Sequence, residues 1–194
     1  MPSNSRILII DNNDSFTFNL FQLVEEGGGW SCEVVRSDIL DPEIVSGFDK
    51  ILISPGPGLP DDFPRMCRVI GQFGPEKDIL GICLGHQAIA MQYGGTLVNM
   101  TQVKHGVTTT LNLRNLDHRL FEGVEEGSRV GLYHSWTVDP NTLPDCLEIT
   151  AVGDDGSILA LRHKSFSVRG VQFHPESFMT PAGRMMITNW LAGE

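Results

Sequence analysis

Cys83 is the residue whose surroundings point most directly to chemistry. It stands in Gly81-Ile82-Cys83-Leu84-Gly85-His86-Gln87, between an apolar run with the character of a strand and a segment with the character of a helix. The pattern G-x-C-x-G is the cysteine counterpart of the nucleophile elbow, in which a reactive side chain sits on a tight strand-to-helix turn and nearby glycines relieve the crowding. A sulfur held there projects at the C-terminal end of a sheet. A helix N-terminus beneath a thiol favours the reactive thiolate, and the backbone N–H of Leu84 is placed to meet a developing oxyanion. Cys32, Cys67 and Cys146 have no such context and read as ordinary buried thiols.

A thiolate needs a partner to manage protons. Of the six histidines, His174 is the candidate. It closes the apolar run Val168-Arg169-Gly170-Val171-Gln172-Phe173 and is followed by Pro175 and Glu176. In extended chain, residues two apart point the same way, so the Glu176 carboxylate can orient the His174 ring and support its charged form. His86 falls inside the helix after the elbow and reads as structural. His105, at a His-Gly turn, is a candidate outside contact. His118 and His163 lie in polar stretches, expected to be exposed, and carry no role. A third element is Ser54-Pro55-Gly56-Pro57-Gly58. Its prolines stiffen the loop and its glycines allow close backbone approach; the N–H groups of Ser54, Gly56 and Gly58 could complete an oxyanion hole. No G-K-[ST] follows, so it is not a phosphate-binding loop.

These residues need a frame that brings three distant segments together. Ile7–Ile10, Cys32–Val35, Ile51–Ile53 and Asp78–Ile82 are short apolar runs, the mark of strands buried on both faces. Helical spacing at Phe16, Leu20, Leu23 and Val24, and helices expected over Arg65–Phe73 and Leu84–Tyr93, alternate with them. Asp14 or Ser15 is available to cap the first helix. This alternation predicts a parallel sheet covered on both faces. The second half changes character: Thr108–Leu113, Arg129–Tyr133, Leu147–Val152, Ile158–Arg162 and Val168–Phe173 read as strands added antiparallel at the sheet edge. A last helix is expected over Pro181–Leu191. No linker or repeat interrupts residues 1–194, which read as a single domain.

Composition narrows the function. The chain has 194 residues, with 14 Lys and Arg against 24 Asp and Glu, a net charge of −10. Nucleic acid would require a basic patch to displace counterions, and anionic lipid would repel this surface. No segment approaches a membrane span. The four scattered cysteines form no C-x-x-C pair, which argues against a zinc site and a disulfide scaffold. A reducing, cytoplasmic setting is expected.

Taken together, the Ser-Pro-Gly-Pro-Gly loop, Gly81–Gln87 and Gly170-Val171-Gln172-Phe173-His174-Pro175-Glu176-Ser177 resemble the class I (triad) glutamine amidotransferases over nearly the whole chain. Asp11-Asn12-Asn13-Asp14-Ser15-Phe16-Thr17, Tyr133-His134-Ser135 and Leu143–Ala151 are similar to the subgroup serving anthranilate synthase and aminodeoxychorismate synthase. The resemblance implies a flavodoxin-like α/β fold, with a central mostly parallel sheet, helices on both faces and antiparallel edge strands. It implies a Cys83 nucleophile, His174 as acid and base, Glu176 as its orienter, and glutamine held by Gly56, Pro57, Gly58, Leu84, Gln87, Ser135 and Trp136. It further implies no metal or cofactor in this chain, with Mg²⁺ expected only in a chorismate-using synthase subunit that receives the ammonia. The acceptor stays open between anthranilate, slightly favoured, and aminodeoxychorismate. Two departures stand out: Trp136 replaces a usual aliphatic residue, and Asp61-Asp62-Phe63-Pro64-Arg65 replaces a small-residue stretch. A free-standing cysteine hydrolase, a glutaminase for another acceptor, and a non-catalytic binding subunit are the rival readings.

Overall fold

A computed structural model describes residues 5–114 and 119–193; His118 lies outside them. In chain order the elements are β1 (Arg6–Asp11), α1 (Thr17–Gly27), β2 (Ser31–Arg36), α2 (Pro42–Val45), β3 (Lys50–Ile53), α3 (Pro64–Phe73), β4 (Asp78–Ile82), α4 (Leu84–Gln92), β5 (Leu97–Thr110), β6 (Asn112–Leu113), β7 (Arg129–Val138), β8 (Leu147–Val152), β9 (Ile158–His163), β10 (Val168–Val171) and α5 (Gly183–Ala192). An eight-stranded sheet runs in the order β2-β1-β3-β4-β10-β9-β8-β6. Its first five strands are mutually parallel, and β9, β8 and β6 add antiparallel at the far edge. This is the expected flavodoxin-like α/β fold.

The apolar runs are continuous because both faces of the sheet are covered. Side chains alternate along β1: Ile7 and Ile9 join a core with Leu20 and Val24 of α1 and Met186 and Trp190 of α5. Leu8 and Ile10 join a second core with Met66, Val69 and Ile70 of α3 and Ala88 and Ile89 of α4. All four β1 residues are completely buried. Fully burying one such side chain is worth roughly 1.5–3 kcal/mol, so a polar replacement on either face would be felt.

Parallel strands put their C-terminal ends at one edge, and that edge is where the three candidate segments emerge. Register aligns them: Ile53 pairs with Gly81 and Ile82 with Val171. The loop after β3, the elbow after β4 and the His174 segment after β10 are therefore neighbours.

Three expectations change. Residues 108–113 do not extend the main sheet as one strand, and residues 129–133 do not join its edge. Instead β5 starts at Leu97 and pairs with β7 as a separate antiparallel ribbon, with bulges near Lys104 and His105. Its outward residues are polar or exposed, so only its end shows an apolar signal. Likewise β10 lies parallel to β4 in the middle of the sheet, not antiparallel at its edge. Finally, neither Asp14 nor Ser15 caps α1. The Asp14 carboxylate accepts the Phe16 N–H at 2.7 Å, closing the turn before the helix, while Asp11 accepts the Thr17 hydroxyl at 2.8 Å.

Candidate active site

Cys83 has φ 51° and ψ −96° and is the residue immediately before α4. A positive φ is costly for a residue with a Cβ, and here the fold enforces it. A Cβ on Gly81 would lie 2.5 Å from the Gly85 backbone, and one on Gly85 would lie 2.9 Å from the Ile53 carbonyl oxygen. Glycine at both positions lets the strand, the turn and α4 approach closely enough to close the elbow. The Cys83 N–H is held by the Val171 carbonyl at 2.8 Å. The sulfur is thus fixed from two neighbouring strands, above the first N–H groups of α4, which a helix leaves without internal acceptors.

Beside the sulfur is a cavity of about 180 Å³ lined by Gly56, Pro57, Gly58, Cys83, Leu84, Gln87, Tyr133, His134, Ser135 and Trp136. Every residue expected to hold substrate is on this wall. A wider, shallower cleft of about 610 Å³ near Asp41, Arg68 and Phe73 contains no cysteine or histidine. The Ser54 N–H does not serve the cavity: Ile10 takes it at 3.0 Å, continuing the sheet. Gly56 and Gly58 are left as the loop's candidate donors. The Asp61–Arg65 segment forms a short 3-10 turn entering α3, and Asp62 steadies the loop by accepting the Leu59 N–H at 2.9 Å.

His174 and Glu176 sit behind the cavity, not on its wall. His174 Nδ1 is 2.7 Å from Glu176 Oε1, and both side chains are almost completely buried. Thr180 ties this segment to β7: its hydroxyl donates to the His174 carbonyl at 2.7 Å and accepts the Gly131 N–H at 3.0 Å. Burial works against a charged His174. Hydrogen bonding to Cys83 and Glu176 and the charges of both outweigh it and raise the imidazole from 6.5 to about 10. His174 Nε2 makes no hydrogen bond among the described residues, so that nitrogen is free to serve the sulfur. The buried imidazole is thereby held as an imidazolium beside the Cys83 sulfur.

This proton affinity has a consequence for stability. His174 holds its proton more tightly folded than unfolded, so its contribution to stability is complete below about 6.5 and is lost as pH rises through about 10. The denaturant midpoint should fall across that window in the wild type. In His174→Gln the fall below the thiol range, up to about pH 8, should be lost; an unchanged slope there would remove the basis for this assignment.

Several residues at the site were not singled out by sequence. Gln172, buried after β10, places its Nε2 3.5 Å from the Cys83 sulfur. His134 lines the cavity, where burial lowers it to about 4; its Nδ1–H donates to the Trp136 carbonyl at 2.9 Å. Gln87 donates to the same carbonyl at 2.7 Å, so the Trp136 oxygen is engaged internally and the substrate must use other backbone atoms of this segment. Tyr133 packs edge-on against His174 with centroids 4.9 Å apart. His105 packs edge-on against Tyr133 at 5.4 Å, and Phe16 is tilted against it at 6.0 Å. Burial pushes the Asp14 carboxyl up, and it feels the charges of both His174 and Glu176. The subgroup motifs Asp11–Thr17 and Tyr133–Ser135 were the available signals for Asp14, Tyr133 and His134.

The other histidines divide. His86 is fully buried against Gly170 and burial lowers it to about 3, which fits a structural role. His163 was expected to be exposed and is instead buried. It stacks on Phe166 at 4.2 Å and 7°, and its Nδ1 accepts the N–H groups of Ser165 and Phe166. That turn, not composition, draws it inward. Among the described residues no group of three or more His, Cys, Asp and Glu could hold a metal ion, and no helix is long and apolar enough to cross a membrane.

The fold and the strained cysteine define an α/β protein with Cys83 on an elbow at the C-terminal edge of the sheet. The family model for glutamine amidotransferase class-I matches residues 8–193. The aminodeoxychorismate synthase component 2 of Klebsiella aerogenes is 42% identical over 187 residues, covering 95% of this chain and 98% of that one. The anthranilate synthase component 2 of Pseudomonas putida is 40% identical over 192 residues, with 95% and 96% covered. A solved Thermoplasma acidophilum structure, provisionally described as part of a GMP synthase, superposes with a TM-score of 0.85 at 25% identity, covering 97% and 92%. The chain belongs to the class I glutamine amidotransferase family, and it is a glutamine amidotransferase.

Proposed function

We propose that residues 1–194 act as one glutaminase domain, delivering ammonia to a chorismate-using synthase subunit, with anthranilate as the favoured product and aminodeoxychorismate as the alternative. The observation that carries the chemistry is the strained Cys83 between the cavity and the His174–Glu176 pair. The Cys83 thiolate attacks the side-chain amide carbon of glutamine. N–H groups at Gly58 and Leu84 take the oxyanion; one such donor can be worth about 3 kcal/mol. His174 gives its proton to the departing nitrogen, ammonia leaves, and a γ-glutamyl thioester stays on Cys83. Water then loses a proton to His174 and attacks the thioester, releasing glutamate and restoring the thiolate. These steps call on no metal in this chain; Mg²⁺ would belong to the synthase. A reducing cytoplasm keeps such a thiol available.

Similarity to component 2 proteins of both pathways supports the partner reading. So do apolar side chains beside the site: Phe16, in contact with the His174 ring, is 37% exposed, and Phe178, two residues after Glu176, is 90% exposed. Aromatic side chains are enriched at protein–protein interfaces. The test measures glutamate release by the chain alone and with each chorismate-using subunit. Release is expected to rise with the correct partner, and the aromatic product identifies the pathway. Full activity that no partner alters would instead favour a free-standing hydrolase.

A further inference from the structure

The catalytic sulfur has a second polar neighbour. Gln172 follows β10 between Val171 and Phe173, and all three are essentially buried. A buried amide is costly there unless its groups are bonded, and an apolar residue would suit the core better. The direction of its amide follows from a backbone atom. A carbonyl oxygen only accepts, so the Gln87 atom 2.7 Å from the Trp136 oxygen must be its nitrogen. That nitrogen's other N–H meets Gln172 Oε1 at 3.1 Å. Gln172 Nε2 is thereby turned to the Cys83 sulfur at 3.5 Å, within reach for an acceptor as large as sulfur. His134 Nδ1–H takes the remaining side of the Trp136 oxygen and locks the start of the chain.

We propose that Gln172 is a further catalytic group: an N–H donor, oriented by a relay from Trp136 through Gln87, that stabilises the Cys83 thiolate. The proposal rests on Cys83 being the nucleophile. The relay joins the sulfur to the wall of the substrate cavity, since Gln87 and Trp136 both line it. Titratable groups around the site are His174 and Glu176 after β10, Tyr133 and His134 on β7, His86 on α4 and, through His174, Asp14. Gln172 differs from all of them in offering a donor whose strength does not change with pH.

The test is the rate at which iodoacetamide alkylates Cys83 in the full chain across a pH series, read by mass spectrometry of the Cys83 peptide, alongside glutaminase kinetics with the partner subunit. A hydrogen bond to a charged group is worth enough that Gln172→Met should slow alkylation at neutral pH about tenfold. Its profile should move to higher pH, and kcat should fall with KM little changed. Gln172→Glu keeps the shape and still accepts from Gln87 but places a like charge at the thiolate, so its loss should be larger, about 10- to 100-fold. If Gln172→Met does not fold, as judged by circular dichroism, Gln172→Glu decides alone. Wild-type alkylation profiles and kcat in the folded variants would overturn the proposal. A Cys83→Ser control separates the two claims. If that protein still hydrolyses glutamine, the nucleophile reading itself fails; if it is inert while Gln172 variants behave as wild type, only the role of Gln172 fails.

Discussion

Cys83→Ala is expected to release no glutamate from glutamine above the uncatalysed background, while the synthase partner bound to it still uses free ammonia. The expected loss is about 10⁵-fold or more, the scale seen when a covalent nucleophile is removed. Nothing else on the cavity wall can take its place. His134 is held neutral by burial and donates its Nδ1–H to Trp136. Ser135 has a hydroxyl, but a hydroxyl is far weaker than a thiolate at neutral pH. The other thiols do not compete. Burial and the charge of Glu25 push Cys32 up to about 12, and burial and Asp61 push Cys67 up. The ammonia-dependent arm matters because it separates chemistry from assembly. A Cys83→Ala chain that loses both glutamine- and ammonia-supported synthesis would have lost its partner, and one that keeps glutamine-supported synthesis would refute the mechanism.

The elbow was legible because its determinants are local. Gly81, Cys83 and Gly85 fall within one short stretch, and their spacing reflects contacts within one turn and with Ile53. The His174–Glu176 pair was legible for the same reason, with two residues of extended chain fixing a shared direction. The buried strands β1, β3 and β4 announce themselves by unbroken apolar runs. By contrast, β5 is a half-exposed ribbon strand whose first ten residues bury almost nothing, so hydropathy carries no trace of it. The parallel placement of β10 depends on β4, nearly ninety residues earlier, and no local pattern records that pairing. Gln172 shows the limit most sharply. It lies within a recognisable motif, but its amide direction is decided by Trp136 and Gln87, two residues brought to it only by the folded sheet.

The second large effect falls on a residue that touches no substrate. Glu176→Gln is nearly isosteric, and its amide oxygen can still accept the His174 Nδ1–H, so the site should keep its shape. What it loses is charge. Glu176 Oε1 lies 2.7 Å from His174 Nδ1 with its side chain fully buried, where solvent cannot replace a missing carboxylate. Against the cost of burial, His174 keeps its proton through Cys83 and Glu176; without the carboxylate, the imidazolium loses one of its two supports. The amide can also turn its nitrogen toward the ring and force the wrong tautomer, directing a proton away from Cys83. The neutral replacement in comparable triads costs about 10⁴-fold, and a thiolate's own reactivity should soften this, giving a kcat loss of about 10²- to 10⁴-fold. KM should change little, because neither His174 nor Glu176 lines the cavity. Steady-state kinetics with the partner bound separates the two parameters. A Glu176→Gln enzyme with wild-type kcat would mean that the ring needs no charged orienter, whereas a raised KM with kcat unchanged would place Glu176 in substrate binding. A shorter carboxylate in Glu176→Asp keeps the charge but loses the 2.7 Å contact, so partial recovery there would identify charge, and not geometry alone, as what Glu176 supplies.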